Sequence, residues 1–443
     1  MQKGRNATII LGLLILVTIV SASLTASYAA PPVPPPGPTL NPKTIPKYTQ
    51  QLVIPPAYTP TTVAGVDTYT IRMVSGITQQ ILPTGFPATP TWAYAGQVGT
   101  NPNFYHSPAA TFEATKGTPV QVTWINNIAS NYMFPIDPTL HWANPNNIPM
   151  HTAHMQAMAG LAPPYPPGYN GVPYTLPGTT TVTNPNGWNA QSPIPLVTHL
   201  HGGEVLSDYD GGPEQWFTNT GLHGPDYRSA IAGQTNAATY YYPNQQQAAT
   251  LWYHDHALGV TRINVMSGLA GFYLLRDPTM TFDQYLTTNF VYGVNEIPLA
   301  IQDRSFNVDG TFWFDTVGVN PTMHPYWTPE FFGNTIMVNG RVWPNLNVDQ
   351  GWYRFRLLDG SNARFYTITL KDQTTGLKLP FIQIGSDGGY LKAPVTMKEL
   401  TIAPGERADI LVDFSAIAAG TKILVTNKAK APFPNGAQPD PQT

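Results

Sequence analysis

Along most of this chain, apolar and polar residues alternate or run apolar over short stretches of strand length. Val66–Val74 (VDTYTIRMV) and Pro119–Ile125 (PVQVTWI) carry the period of two that predicts half-buried β-strands. Two further apolar runs, Ile194–His201 and Ala249–His256, end in histidine. Ser267–Arg276 predicts another strand, closed by Asp277-Pro278, and strand signals resume from about Ile297 at 336–343, 352–358, 366–370, 381–384, 410–414 and 422–426. Residues 130–192 are rich in Pro, Asn, Gly and Thr without periodicity and predict long loops between strands. Short strands at this spacing predict an all-β fold of two consecutive Greek-key sandwiches.

Composition agrees with that reading. Proline (46) and glycine (38) supply turns, and charged residues make up only 11% of the 443 positions. A length of 443 admits two or three domains. A formal charge of −3 carries no electrostatic footprint for nucleic acid. At the N-terminus, Lys3 and Arg5 precede an apolar run from Ala7 to Val20, and Ser27 and Ala29 suit signal-peptide cleavage after Ala29. No paired arginines are present, which favours the general secretory route over the twin-arginine one. An uncleaved membrane anchor is the alternative; no other membrane contact is expected. Either way the folded part is expected outside the cytoplasm, whether secreted, periplasmic or at the cell surface. The chain has no cysteine, so its core must hold without disulfides. Residues 30–47 are proline-rich and predict an extended, solvated spacer. Residues 431–443 read as a linker-like tail.

Four of the ten histidines lie in two tripeptides, His199-Leu-His201 and His254-Asp-His256. On a strand, residues i and i+2 share a face and lie about 6.6 Å apart along the backbone, so each pair can aim two imidazoles at one metal cluster. Clustered imidazoles suit copper, zinc or iron, with copper leading in affinity. A single His-x-His is equally consistent with packed core or surface histidines; two, each ending an apolar strand, make the metal reading the stronger. A blue-copper site also needs a cysteine thiolate, which this sequence does not contain.

The residues around the histidines extend the pattern. His199-Leu-His-Gly-Gly203 and Leu251-Trp-Tyr-His-Asp-His256 resemble the first two copper motifs of the multicopper oxidases. The resemblance continues through Asp208-Tyr-Asp-Gly-Gly-Pro-Glu214, Tyr242-Pro-Asn-Gln-Gln246, Val338-Asn-Gly-Arg-Val-Trp-Pro344, Ile384-Gly-Ser-Asp-Gly-Gly389 and Ala403-Pro-Gly-Glu-Arg-Ala-Asp409. Spanning roughly residues 50–430, it looks like the bacterial laccase and spore-coat laccase branch, near bilirubin oxidase. It implies cupredoxin-like domains at 48–285 and 286–430, the first two of the family's three. It implies His199 as a ligand of the type 2 copper, His201 and His254 as ligands of one type 3 copper, and His256 as a ligand of the other. It places Asp210 where the family keeps an acid near the type 2 copper; the alternative is a turn aspartate before Gly211-Gly212. Asp255, between two ligands, must point to the opposite strand face and reads as structural.

The family's third domain supplies a His-Pro-x-His-x-His segment and a His-Cys-His segment, and neither occurs here. The nearest imitation, His324-Pro325, lacks the following histidines. The expectation is therefore half of a trinuclear copper site, no type 1 site in this chain, and no oxidation of phenols, aromatic amines or metal ions with O2 by this chain alone. A truncated or partial form is the first explanation. One subunit of a split oxidase, with the third cupredoxin domain supplied separately, and a non-catalytic copper-binding or scaffold protein are the rivals. A second His/Met cluster, Met150-His-Thr-Ala-His-Met-Gln-Ala-Met158, suits copper capture or occlusion of the site mouth, but reads first as a loop whose Met residues are apolar filler.

Overall fold

The computed structural model describes residues 39–134, 136, 140–147, 191–228, 234–314 and 327–439, with the backbone alone at 174–175 and 181–182. The expected signal peptide, the Met150–Met158 cluster and His324-Pro325 lie outside the described residues. Among the described residues no helix is long and apolar enough to cross a membrane.

The fold is all-β and cupredoxin-like. The first six-stranded sheet orders Ala237–Tyr242, Val120–Asn126, Val66–Gln79, Thr89–Val98 and Asn101–His106, with Thr61–Val63 paired to Val66–Gln79. A four-stranded sheet, Ala109–Thr115, Ala270–Arg276, Ala249–Asp255 and Thr198–His201, faces it across an aromatic core. There Tyr94, Phe112, Trp124 and Tyr253 meet with ring centroids 5.1–6.1 Å apart, in tilted and edge-on contacts. The second half repeats the scheme. An eight-stranded sheet built on Glu296–Phe306, Trp352–Asp359, Arg407–Asp413 and Phe381–Ser386 packs on a four-stranded one around Tyr366–Asp372.

The strand Ala249–Asp255 is buried at every position, and Ala270–Arg276 at all but its last. The cause is that their sheet has two covered faces. Tyr253 and Tyr273 point into the aromatic core, while Trp252, Phe272 and Leu274 pack on Ala300 and Leu358 of the second half. Each large side chain removed from water there contributes on the order of 2 kcal/mol. Alongside lies a buried ion cluster. Glu296 accepts from Arg356 at 2.7 Å and from Arg276 at 2.9 and 3.2 Å, and Arg354 holds Asp409 through Nε and Nη2. Burial alone would raise the Glu296 carboxyl; Arg356, Arg276 and Arg354 outweigh it and hold it at about 2.

Several elements differ from the sequence expectation. Residues 336–343, read as one strand, form a hairpin: Thr335–Val338 pairs with Arg341–Val342, and Asn339 and Gly340 both take positive φ (48° and 74°). That is the Asn-Gly turn, whose two left-handed residues match the twist of the flanking strands. Ser267 ends a helix, Thr261–Ser267, rather than starting a strand, because Ile263 and Met266 bury on one helical face. A second unforeseen helix spans Thr281–Asn289. The proline-rich spacer, expected to be solvated to residue 47, touches the fold from Thr39 onward, while Asn41, Lys43, Thr44 and Pro46 stay exposed. Leu40 donates to the Phe306 carbonyl, and Ile45 is buried. The expected tail also folds back, with Phe433 stacked on Phe365 at 4.5 Å.

Candidate metal centre

The strands Thr198–His201 and Ala249–Asp255 are antiparallel neighbours, with His199 directly opposite His254 and His201 opposite Trp252. Directly opposed side chains on one face of such a pair are close neighbours. His256 follows the strand end. The four imidazoles form one cluster at the sheet edge, with His199 ring centroids 5.7, 5.6 and 4.6 Å from those of His201, His254 and His256. The structure thus brings the four histidines of both pairs together.

Three of the rings are oriented by carbonyl acceptors. His199 Nδ1 donates to the Asp210 carbonyl at 2.6 Å, His256 Nδ1 to the Gly211 carbonyl at 2.9 Å, and His254 Nδ1 to the Asp255 carbonyl at 2.7 Å. A proton held on Nδ1 leaves the Nε2 lone pair free for a metal. His201 differs: its Nδ1 faces His254 Nε2 at 3.2 Å. Two imidazole nitrogens on one first-row metal, with bonds of about 2.0 Å and a tetrahedral angle, lie roughly 3.3 Å apart. The spacing of this pair therefore fits a shared ion, and the donor set suits copper. Among the described residues no group of three His, Cys, Asp or Glu side chains closes around a single ion position.

Burial favours the neutral form of three of the imidazoles. His201 is lowered to about 4 by desolvation, by the Arg407 charge and by the neighbouring rings His199 and His256. His254 is held well below the ordinary histidine value, chiefly by burial, and His256 is lowered for the same reason. Neutral imidazole is the form that binds metal, so little proton competition remains at these three rings near neutral pH.

The loop after the first histidine strand supplies the orienting carbonyls. Asp210 ends a short 3-10 turn at Ser207–Tyr209, and Gly211 follows with φ +68°. A Cβ on Gly211 would lie 2.0 Å from the Thr198 carbonyl oxygen, so only glycine lets this loop lie against the strand. The Asp210 carboxylate is 42% exposed and lies 3.4 Å from His199 Nδ1, whose proton its own main-chain carbonyl already accepts. Asp255 points to the opposite face, as expected. It is fully buried and accepts from the Val197 and Ala257 amides and from Asn264 Nδ2, and desolvation raises its carboxyl to about 7.

Three contributors escaped the sequence reading. Trp252 packs at a tilt against His254, with centroids 4.1 Å apart, and against His201 at 5.2 Å; its place two residues before His254 was the available signal. Gln246 clamps the turn after His201, donating to the Gly202 carbonyl at 2.7 Å and accepting from the Glu204 amide at 2.6 Å. Gly405, from the second half, backs the His201 ring: a Cβ there would sit 3.5 Å from His201 Cε1.

A cupredoxin-like fold carrying this histidine cluster defines a copper oxidase class. Residues 195–280, which hold all four histidines, match the multicopper oxidase family. The chain is 36% identical over 357 residues to multicopper oxidase LPR2 of Arabidopsis thaliana, covering 81% of this chain and 50% of that protein. It is 32% identical over 395 residues to a laccase of Bacillus subtilis, covering 87% and 62%. Among solved structures, McoA multicopper oxidase from Aquifex aeolicus shares the fold, with a TM-score of 0.57 at 24% identity over 86% of this chain and 60% of that one. The chain belongs to the multicopper oxidase family, whose cofactor is copper. It spans about half to three-fifths of the length of these curated relatives.

Proposed function

We propose that this chain supplies one face of a trinuclear copper cluster in a laccase-like oxidase, exported from the cytoplasm. The complete enzyme couples one-electron oxidation of phenols, aromatic amines or metal ions to reduction of O2 to water. The observation that carries the reading is the 3.2 Å approach of His201 Nδ1 to His254 Nε2, the edge expected of two ligands on one ion. In this assignment His201 and His254 hold one type 3 copper, His256 the other, and His199 the type 2 copper.

Copper bound there supplies one-electron redox steps and a place for O2. The protein supplies the rest. The carbonyls of Asp210, Gly211 and Asp255 fix three rings with Nε2 free. Trp252 closes the site on its buried side. The half-exposed Asp210 carboxylate, beside His199, is placed to pass protons from solvent toward the cluster. Two ligands on one ion and one on each of the others fall short of the three or four that a stable site uses. The missing ligands, and the thiolate of any type 1 copper, must come from outside these residues, since the sequence holds no cysteine. The chain by itself is therefore proposed to bind copper weakly and to lack oxidase activity.

Copper titration of the chain, followed by electron paramagnetic resonance and visible absorption, tests this. Nitrogen-ligated Cu(II) without an intense blue band is expected, and His201→Ala with His254→Ala should lower uptake. Undiminished uptake in that double variant, or an intense blue band from the chain alone, overturns the proposal.

A further inference from the structure

The motif Ala403-Pro-Gly-Glu-Arg-Ala-Asp409 reaches the site through Gly405, behind the His201 ring, and through the Arg407 charge. Its arginine is 4% exposed, and its guanidinium is fully engaged. Arg407 Nε donates to the Thr250 carbonyl at 3.0 Å, on the strand that carries His254 and two residues before Trp252. Nη1 donates to the Gly405 carbonyl at 2.8 Å and lies 3.1 Å from Asp387 Oδ1, and Nη2 donates to the Asp387 carbonyl at 3.0 Å. The main chain is anchored too, the Arg407 amide donating to Asp387 Oδ1 at 2.7 Å. Gly202, immediately after His201, takes φ +87°, and a Cβ there would lie 2.9 Å from Nη2. One rigid, planar cation thus touches the turn that follows His201, the strand opposite it and the loop behind its ring. Gly405 is held from the other side as well, its amide donating to the Asp359 carbonyl at 2.8 Å.

We propose that Arg407 is a positioning residue of the copper site, bracing the second half of the molecule against the His201 ring so that His201 Nδ1 meets His254 Nε2. The inference rests on the copper reading above. It makes the second half part of the metal site's wall rather than a spacer. Residues outside the ligand set that hold ligands in place typically govern metal affinity by 10-fold or more when removed. Met in place of Arg407 keeps the length of the side chain and loses every donor. Gly405 then loses the donor to its carbonyl and the turn at Gly202 loses the guanidinium packed against it, so the His201 ring is free to rotate away from His254.

The test compares Cu(II) affinity and the Cu(II) electron paramagnetic resonance spectrum of the chain and four variants. Arg407→Met should bind copper roughly 10-fold more weakly and with a changed spectrum. Asp387→Asn, at a half-exposed position that tolerates change, should shift both in the same direction by less. Arg364→Met, which removes a comparable buried pair with Asp303 far from the histidines in sequence, should lower the unfolding temperature while leaving affinity and spectrum as in the parent. The double variant His201→Ala, His254→Ala separates the two readings. If it loses copper while Arg407→Met, or Asp387→Asn should Arg407→Met not fold, keeps the parent affinity and spectrum, the role of Arg407 alone is overturned. If the double variant binds copper like the parent, the copper reading falls and this one with it. Equal loss of affinity in Arg364→Met and Arg407→Met, tracking stability, also overturns it.

Discussion

His199 and His256 stack with ring centroids 4.6 Å apart and planes 22° from parallel, and each donates Nδ1–H to one of two consecutive carbonyls, Asp210 and Gly211. A single peptide segment therefore sets the tautomer and pitch of one ring from each histidine pair. The loop is a jig for the site as much as a connection, and its geometry depends on Gly211.

Replacing Gly211 with Ala should damage fold and site together. The new Cβ would sit 2.0 Å from the Thr198 oxygen at a backbone φ of +68°, and such strain costs at least about 2 kcal/mol. Denaturant titration should show the loss of stability. Copper uptake should fall in parallel, because both orienting carbonyls shift. Parent-like values for both would show that the loop does not set the rings.

Asp210 separates carbonyl from carboxylate. Asp210→Asn keeps the main-chain acceptor for His199, so copper affinity and unfolding temperature of the chain should stay close to the parent. If the side chain delivers protons, oxygen reduction by a complete enzyme bearing this change should slow by about 10²-fold or more, the usual worth of a positioned acid or base. An unchanged turnover would return Asp210 to the role of turn residue.

Asp255 should behave in the opposite way. Its buried carboxyl is the acceptor for Val197, Ala257 and Asn264. Asp255→Ala leaves those donors without it, at a cost of about 3–5 kcal/mol. Thermal unfolding of the metal-free chain should register the loss before any copper is added. A metal-free protein as stable as the parent would contradict the structural role.

Glu296 predicts an acid limb in stability. Its folded value of about 2 lies below the ordinary 4.5, so the charged form is favoured by folding. That contribution, roughly 3 kcal/mol, is fully present above about pH 5 and is lost as pH falls through 4.5 toward 2. Glu296→Gln should flatten this limb in denaturation midpoints between pH 2.5 and 6. It should also destabilise at pH 7, because Arg354 and Arg356 lose a buried counter-charge. A variant whose acid limb matches the parent would assign the limb to other carboxylates.

Much of the architecture was legible from local pattern. Period-two alternation at Val66–Val74 and the apolar run at Ala249–His256 marked real strands, because the alternation records which face meets the core, whereas of the run Ile194–His201 only Thr198–His201 forms a strand. The i, i+2 spacing likewise put His199 with His201 on one face and forced Asp255 to the other. The two-residue turn inside 336–343 is written in Asn339-Gly340, but the apolar residues on either side give the stretch the pattern of one strand. The helix Thr261–Ser267 is shorter than any window in which a helical period stands out.

The residues themselves determined an all-β chain with four imidazoles on strand ends and no thiolate to accompany them. Only the tertiary structure decided that His254 lies opposite His199, that Asp210 and Gly211 hold rings from both pairs, and that Gly405 and Arg407 from 150 residues beyond His254 stand behind His201. Strand register and contacts between distant segments arise from the packing of whole sheets, whose preference is spread over many side chains and is absent from any short window of sequence.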